Sequence, residues 1–204
     1  MGTAWRVIVV ANPKADTLQE AIEDRLTELE STLSHWDQNS EVSRFNQAAA
    51  KQQTSQSISN DLAAVIEKGL EISLVTKGAF NITLGNEISA RGFGPNTPKN
   101  DSNLASRRPS HEVLVLELNS ILRSLQPGVS IDLSAIAKGY AVAEISALLT
   151  RSGFPTTSSK SAAKSMAGEQ RPTVQIGVLA FANPAPAQSP KSRIASISIQ
   201  LVKP

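Results

Sequence analysis

Leu18, Ile22, Leu26, Leu29 and Leu33, with charged residues between them, form the feature that most constrains this chain. Apolar side chains at that spacing share one face of an α-helix and need a surface to cover them. The spacing of Thr17 and Glu20 is that of a capping box, which predicts that the helix starts there. Just upstream, residues 5–10 are mostly β-branched and stop at Asn12-Pro13, the pattern of a buried strand.

A second helix is predicted from about Ser59, carrying Leu62, Val65, Ile66, Leu70 and Leu74 and ending at Thr76-Lys77-Gly78, where the glycine suits a left-handed cap. Between the helices, residues 33–46 mix Trp36, Phe45 and Arg44 with turn formers, which is richer than a plain connector needs. Residues 47–57 read as a polar loop. Residues 79–84 are short and apolar. The sequence Gly92-Phe-Gly fits either backbone packed against something flat or an ordinary tight turn, and residues 96–110 read as an exposed loop. Residues 113–118 and 121–125, joined at Asn119-Ser120, predict a hairpin. Pro127-Gly128 leads into a strand over 129–133, and a helix is expected from about Lys138 to Thr150. Residues 155–168 read as a flexible Ser/Thr/Ala loop and 183–190 as a stiff proline-rich one, with strands at 173–179 and 193–201.

Bulk properties narrow the function. The chain has 204 residues, enough to bury a core as one domain or two small ones. Aromatic residues make up 4% of it and the net charge is +2, so a stacking surface or basic stripe for nucleic acid is not expected. There is no cysteine, which excludes disulfides, thiolate metal sites and a cysteine nucleophile. No apolar run reaches membrane-spanning length, and the N-terminus carries no apolar signal region, so the chain as given reads as soluble.

The most chemically suggestive stretch is 131–142. There an apolar strand ends in Asp132, passes through small residues and turns into a helix beside Lys138. A helix N-terminus offers unpaired N–H groups and a positive dipole end, so this reads as an anion or nucleotide-phosphate site. The alternative for Lys138 is a solvated lysine. His35 and His111 have no ligand-spaced neighbours and read as surface or loop residues. No Gly-x-Ser-x-Gly, Walker loop or Gly-x-Gly-x-x-Gly occurs.

Met1-Gly-Thr3, Ser34-x-Trp36, Ser40-Glu-Val-Ser-Arg-Phe-Asn46, Thr76-Lys-Gly-Ala-Phe-Asn81, Gly92-Phe-Gly-Pro95 and Asp132-Leu-Ser-Ala-Ile-Ala-Lys-Gly-Tyr-Ala-Val142 follow in the order and approximate spacing of the ApbE family. The chain therefore resembles the FAD:protein FMN transferases, once labelled thiamine-biosynthesis lipoproteins. The resemblance implies an α+β, T-fold-related architecture of mixed sheets flanked by helices, with residues 1–204 as one flavin-transferase region. It implies Mg²⁺ and FAD, with FMN attached from FAD to a Thr or Ser hydroxyl of an acceptor flavoprotein. Met1, Trp36, Ala79, Phe80, Asn81 and Lys138 would contact the flavin nucleotide, and the Ala141 carbonyl would contact the metal. It also implies a periplasmic protein held at the inner membrane by an N-terminal lipid anchor that this chain does not contain.

Departures from the family pattern carry expectations of their own. The family usually has Asp where Asn81 and Ala143 stand, and a Gly-Gly-Glu stretch where residues 161–164 read Ser-Ala-Ala-Lys. Its C-terminal part, with the side-chain metal ligands, is expected to be missing after Pro204, which leaves the catalytic residue unknown. A competing expectation is thus a degenerate or fragmentary paralogue that binds flavin or serves only as an interaction domain. A third is a small extracytoplasmic binding module, for which the Ser/Thr/Pro-rich loops speak.

Overall fold

The structure is a computed structural model that describes residues 6–10, 15–52, 54–93, 108–153, 175–177 and 198–202. These fall into two compact units, one containing residues 1–26 and 141–204, the other residues 27–140.

In the first unit, strand β1 (Arg6–Val10) pairs antiparallel with β5 (Gln175–Gly177) and parallel with β6 (Ser198–Val202), giving the order β5-β1-β6. The sheet is mixed, as the resemblance implies. Val7 is fully buried and clusters with Leu18 and Ile22 of helix α1 (Ala15–Leu33) and with Ile145 and Leu149 of helix α6 (Ser134–Arg151), flanked by Leu26 and Leu148. The leucine stripe is therefore core. Thr17 and Glu20 lie inside α1, which begins at Ala15, so the capping-box expectation is corrected. The side chains of Arg25 and Glu144 form an ion pair of 2.8 Å at the edge of this cluster.

The second unit holds helix α2 (Glu41–Ala50), strand β2 (Ser55–Ser57), helix α3 (Asn60–Val75) and the short helices α4 (Gly85–Ala90) and α5 (Ser110–Val113). Strands β3 (Leu114–Glu117) and β4 (Ile121–Ser124) complete it, in an antiparallel sheet of order β2-β4-β3. The hairpin forms as the sequence predicts, with Glu117 opposite Ile121 and Asn119 and Ser120 at φ 60° and 55°. Asparagine tolerates that left-handed region better than most residues.

Helix α2 corrects the polar-loop expectation over 47–57. Ser40 caps it by accepting from the Ser43 N–H, Glu41 sits in its first turn, and Val42, Phe45 and Ala49 form its buried face. Ser59 caps α3 in the same way, and Gly78 closes it at φ 82°, its N–H donating to the Ser73 carbonyl over 2.7 Å. Helix α4 is a further element that the sequence reading did not expect.

Two corrections bear on the site. The strand expected over 129–133 is reduced to one parallel bridge, Leu84 with Ser130, followed by an extended segment. Helix α6 starts at Ser134, so Lys138 stands a full turn inside it rather than at its beginning. The reason is local: the Asp132 carboxylate accepts from the Ser134 N–H at 2.8 Å and caps the turn, and the following small residues extend the helix. Most of the loop expected over 96–110 lies outside the described residues. Its last member, Ser110, opens α5 and is fully buried. The proline-rich loop and the Ser/Thr/Ala loop also lie outside them.

Candidate functional site

The turn at Asp132 is the hub of the second unit. On one edge, the Asp132 N–H donates to the Ile82 carbonyl (2.8 Å) and the Gly85 N–H to the Ser130 carbonyl (3.0 Å). On the other edge the Asn46 side chain takes both backbone groups of Ile131, accepting from its N–H at 2.7 Å and donating to its carbonyl at 2.9 Å. His35 completes the enclosure, its Nδ1 lying 3.2 Å from the Ser134 hydroxyl and 3.5 Å from Asp132 Oδ1.

His35 lies in the turn after α1, the loop alternative of its reading, but it is not a surface residue: its side chain is 13% exposed, and Nε2 is buried with no hydrogen-bond partner among the described residues. The histidine occupies the unspecified middle position of Ser34-x-Trp36, and no spacing rule marks it. His111 is likewise partly buried, its Nδ1 2.9 Å from the Ser73 hydroxyl.

A cleft of about 220 Å³ opens beside the turn, lined by His35, Asn46, Asn86, Gly128, Ser130 and Asp132 among others. Among the described residues no lysine or arginine lines it. It is smaller than the roughly 300–1,000 Å³ usual for small-molecule sites. At the helix start the Asp132 carboxylate holds the capping position.

Of the residues singled out by resemblance, Trp36, Ala79, Phe80, Asn81 and Lys138 belong to the same unit as this turn and do not line the cleft. Trp36 is 58% exposed, its ring centroid 5.2 Å from that of His35, so it is backed by the histidine that touches the Asp132 turn. Lys138 is exposed and makes no ion pair among the described residues. Ala79 is exposed, and Phe80 and Asn81 are partly buried. The Asn81 amide donates to the Arg108 carbonyl (3.1 Å) and accepts from the Thr83 N–H and hydroxyl (2.9 and 2.6 Å), organising the turn that delivers Ile82 to Asp132. Phe93, between its two glycines, is 70% exposed at the end of α4, where Gly92 has φ 84°. That is the tight-turn alternative. Met1 lies outside the described residues, and Ala141, 7% exposed, belongs to the first unit.

An exposed indole and an exposed ammonium suit a flavin nucleotide, the one for ring contact and the other for a phosphate charge. Magnesium is different. It wants about six oxygens, carboxylates among them. Among the described residues no three His, Asp or Glu side chains gather as a metal group, and Asn81 offers an amide where the family usually has a carboxylate. The described residues do not fit that ion.

Comparison with known proteins agrees with the sequence resemblance. The sequence profile of the ApbE family matches residues 1–189. An FAD:protein FMN transferase of Vibrio cholerae is 30% identical over 163 residues, covering 76% of this chain and 48% of the relative. One from Haemophilus influenzae is 31% identical over 161 residues, covering 71% and 45%. Among solved structures, the flavin transferase ApbE of Vibrio cholerae superposes with a TM-score of 0.60 at 31% identity, over 71% of this chain and 47% of that one. The ApbE protein of Thermotoga maritima gives 0.60 at 25%, over 71% and 49%. The chain thus spans about half the length of the curated relatives it matches.

Proposed function

Because the chain belongs to the ApbE family, we propose that it carries the flavin-nucleotide face of an FAD:protein FMN transferase, with FAD as donor and a flavoprotein Thr or Ser hydroxyl as acceptor. One observation carries the reading: three of the resemblance-bearing segments converge on a single turn. Residues 34–36 reach Asp132 through His35, Asn46 holds Ile131, and residues 76–81 lead into the Ile82 carbonyl that accepts from Asp132. That turn opens the helix on which Lys138 stands. In this reading Trp36 contacts the nucleotide by its ring, Lys138 offsets phosphate charge and residues 79–81 contact the same ligand, with Met1 and the Ala141 carbonyl as the further contacts that the resemblance implies. The periplasmic, lipid-anchored setting and the single 1–204 region belong to the same proposal. No helix among the described residues is long and apolar enough to cross a membrane.

A second reading, flavin binding without transfer, is favoured by the absence of a metal-holding group among the described residues. Incubating the chain with FAD, Mg²⁺ and a threonine-bearing acceptor domain separates the two. Acid-stable fluorescent flavin on the acceptor supports transfer. FAD binding with no covalent product supports the second reading, and no FAD binding at all overturns both.

A further inference from the structure

We propose that Asn46 is the positioning residue of this site: its side chain acts as a one-residue strand partner for Ile131 and thereby fixes the Asp132 turn and the start of α6. The inference rests on the flavin-binding reading only for its functional consequence. Extended backbone directs the N–H and C=O groups of successive residues to opposite edges. The Ser130 C=O and the Asp132 N–H are spent on the edge occupied by Gly85 and Ile82. The Ile131 pair points the other way and meets the carboxamide of Asn46 from α2. Ile131 is 1% exposed, so its backbone pair has little access to water, and buried backbone groups are almost always paired.

The residue type follows from the chemistry. Two antiparallel hydrogen bonds to one residue require a planar group with one donor and one acceptor side by side, which asparagine supplies at this reach. Leucine supplies neither. Aspartate accepts from the Ile131 N–H, but its second oxygen faces the Ile131 carbonyl lone pairs unless it carries a proton.

That difference gives the test a readout that general loss of packing would not reproduce. FAD affinity, followed by flavin fluorescence, is measured on the full chain and on Asn46→Asp and Asn46→Leu, at about pH 8 and about pH 5, on either side of a buried carboxyl's range. His35 and Asp132 are the titratable groups lining the same cleft. The unsubstituted chain carries both, so it is the reference at each pH. Both variants should bind FAD about tenfold or more weakly at the higher pH, and Asn46→Asp alone should recover at the lower one. Unchanged binding in both variants, or a loss in Asn46→Asp indifferent to pH, overturns the proposal. If the unsubstituted chain binds no FAD, the functional reading fails by itself. Amide hydrogen exchange over residues 131–137 then decides on Asn46: acceleration over the unsubstituted chain at the higher pH, reversed for Asn46→Asp at the lower, supports it, and unchanged exchange overturns it.

Discussion

At the scale of single residues, Gly85 and Gly139 predict opposite outcomes from the same substitution. A Cβ on Gly85 would sit 2.5 Å from the Ser130 hydroxyl oxygen and 2.9 Å from its carbonyl oxygen, so Gly85→Ala must push apart the two chains that hold the Asp132 turn. Overpacking of that kind costs about 1–3 kcal/mol. A Cβ on Gly139, in the body of α6, meets nothing within 4 Å, and Gly139→Ala should stabilise by about 0.5–1 kcal/mol through helix propensity. Urea unfolding midpoints measure both, and a neutral Gly85→Ala would contradict the packing described. Neither glycine's role was legible in the sequence, because one is defined by a residue far along the chain and the other by empty space. His35 was missed for a similar reason. Its partners, Asp132 and Ser134, become neighbours only once the chain is folded.

At the scale of elements, legibility followed side-chain size. Helices α1 and α3 announce themselves through leucine and isoleucine stripes that bury large surfaces. Helix α2 buries Val42, Phe45 and Ala49, and its second half is alanine and glutamine, which looks like low complexity although alanine is the strongest helix former. Its cap makes it testable: Ser40→Ala removes the acceptor for the Ser43 N–H and should cost about 1 kcal/mol. The loss should appear as a lower urea midpoint with little change in total helicity. The start of α6 was misjudged because Asp132 was taken as the end of a strand, whereas its carboxylate caps the helix at Ser134. At the other end of α6, Leu149 is fully buried against Val7 and the α1 stripe, so Leu149→Ala should cost about 2–5 kcal/mol by leaving a cavity. An effect below about 0.5 kcal/mol, the range of surface substitutions, would mean that this cluster is not a core.

At the scale of the whole molecule, the α+β class, the mixed sheet and the family were legible because motifs in order survive where tertiary contacts cannot be read. The reading of an anion at the helix start did not foresee the carboxylate that caps it. The turn itself is held on both edges, and the same unit carries an exposed indole at Trp36 and an exposed ammonium at Lys138. The chain spans about half the length of its curated relatives, and the described residues gather no metal group. Binding is accordingly the step these residues can support most directly. Flavin fluorescence titrated with the full chain, beside the Trp36→Ala, Lys138→Ala double variant, tests that claim. Saturable binding of FAD weakened about tenfold or more in the double variant is the predicted result, as expected for loss of one ring contact and one charge contact. Undiminished binding in that variant would contradict the account.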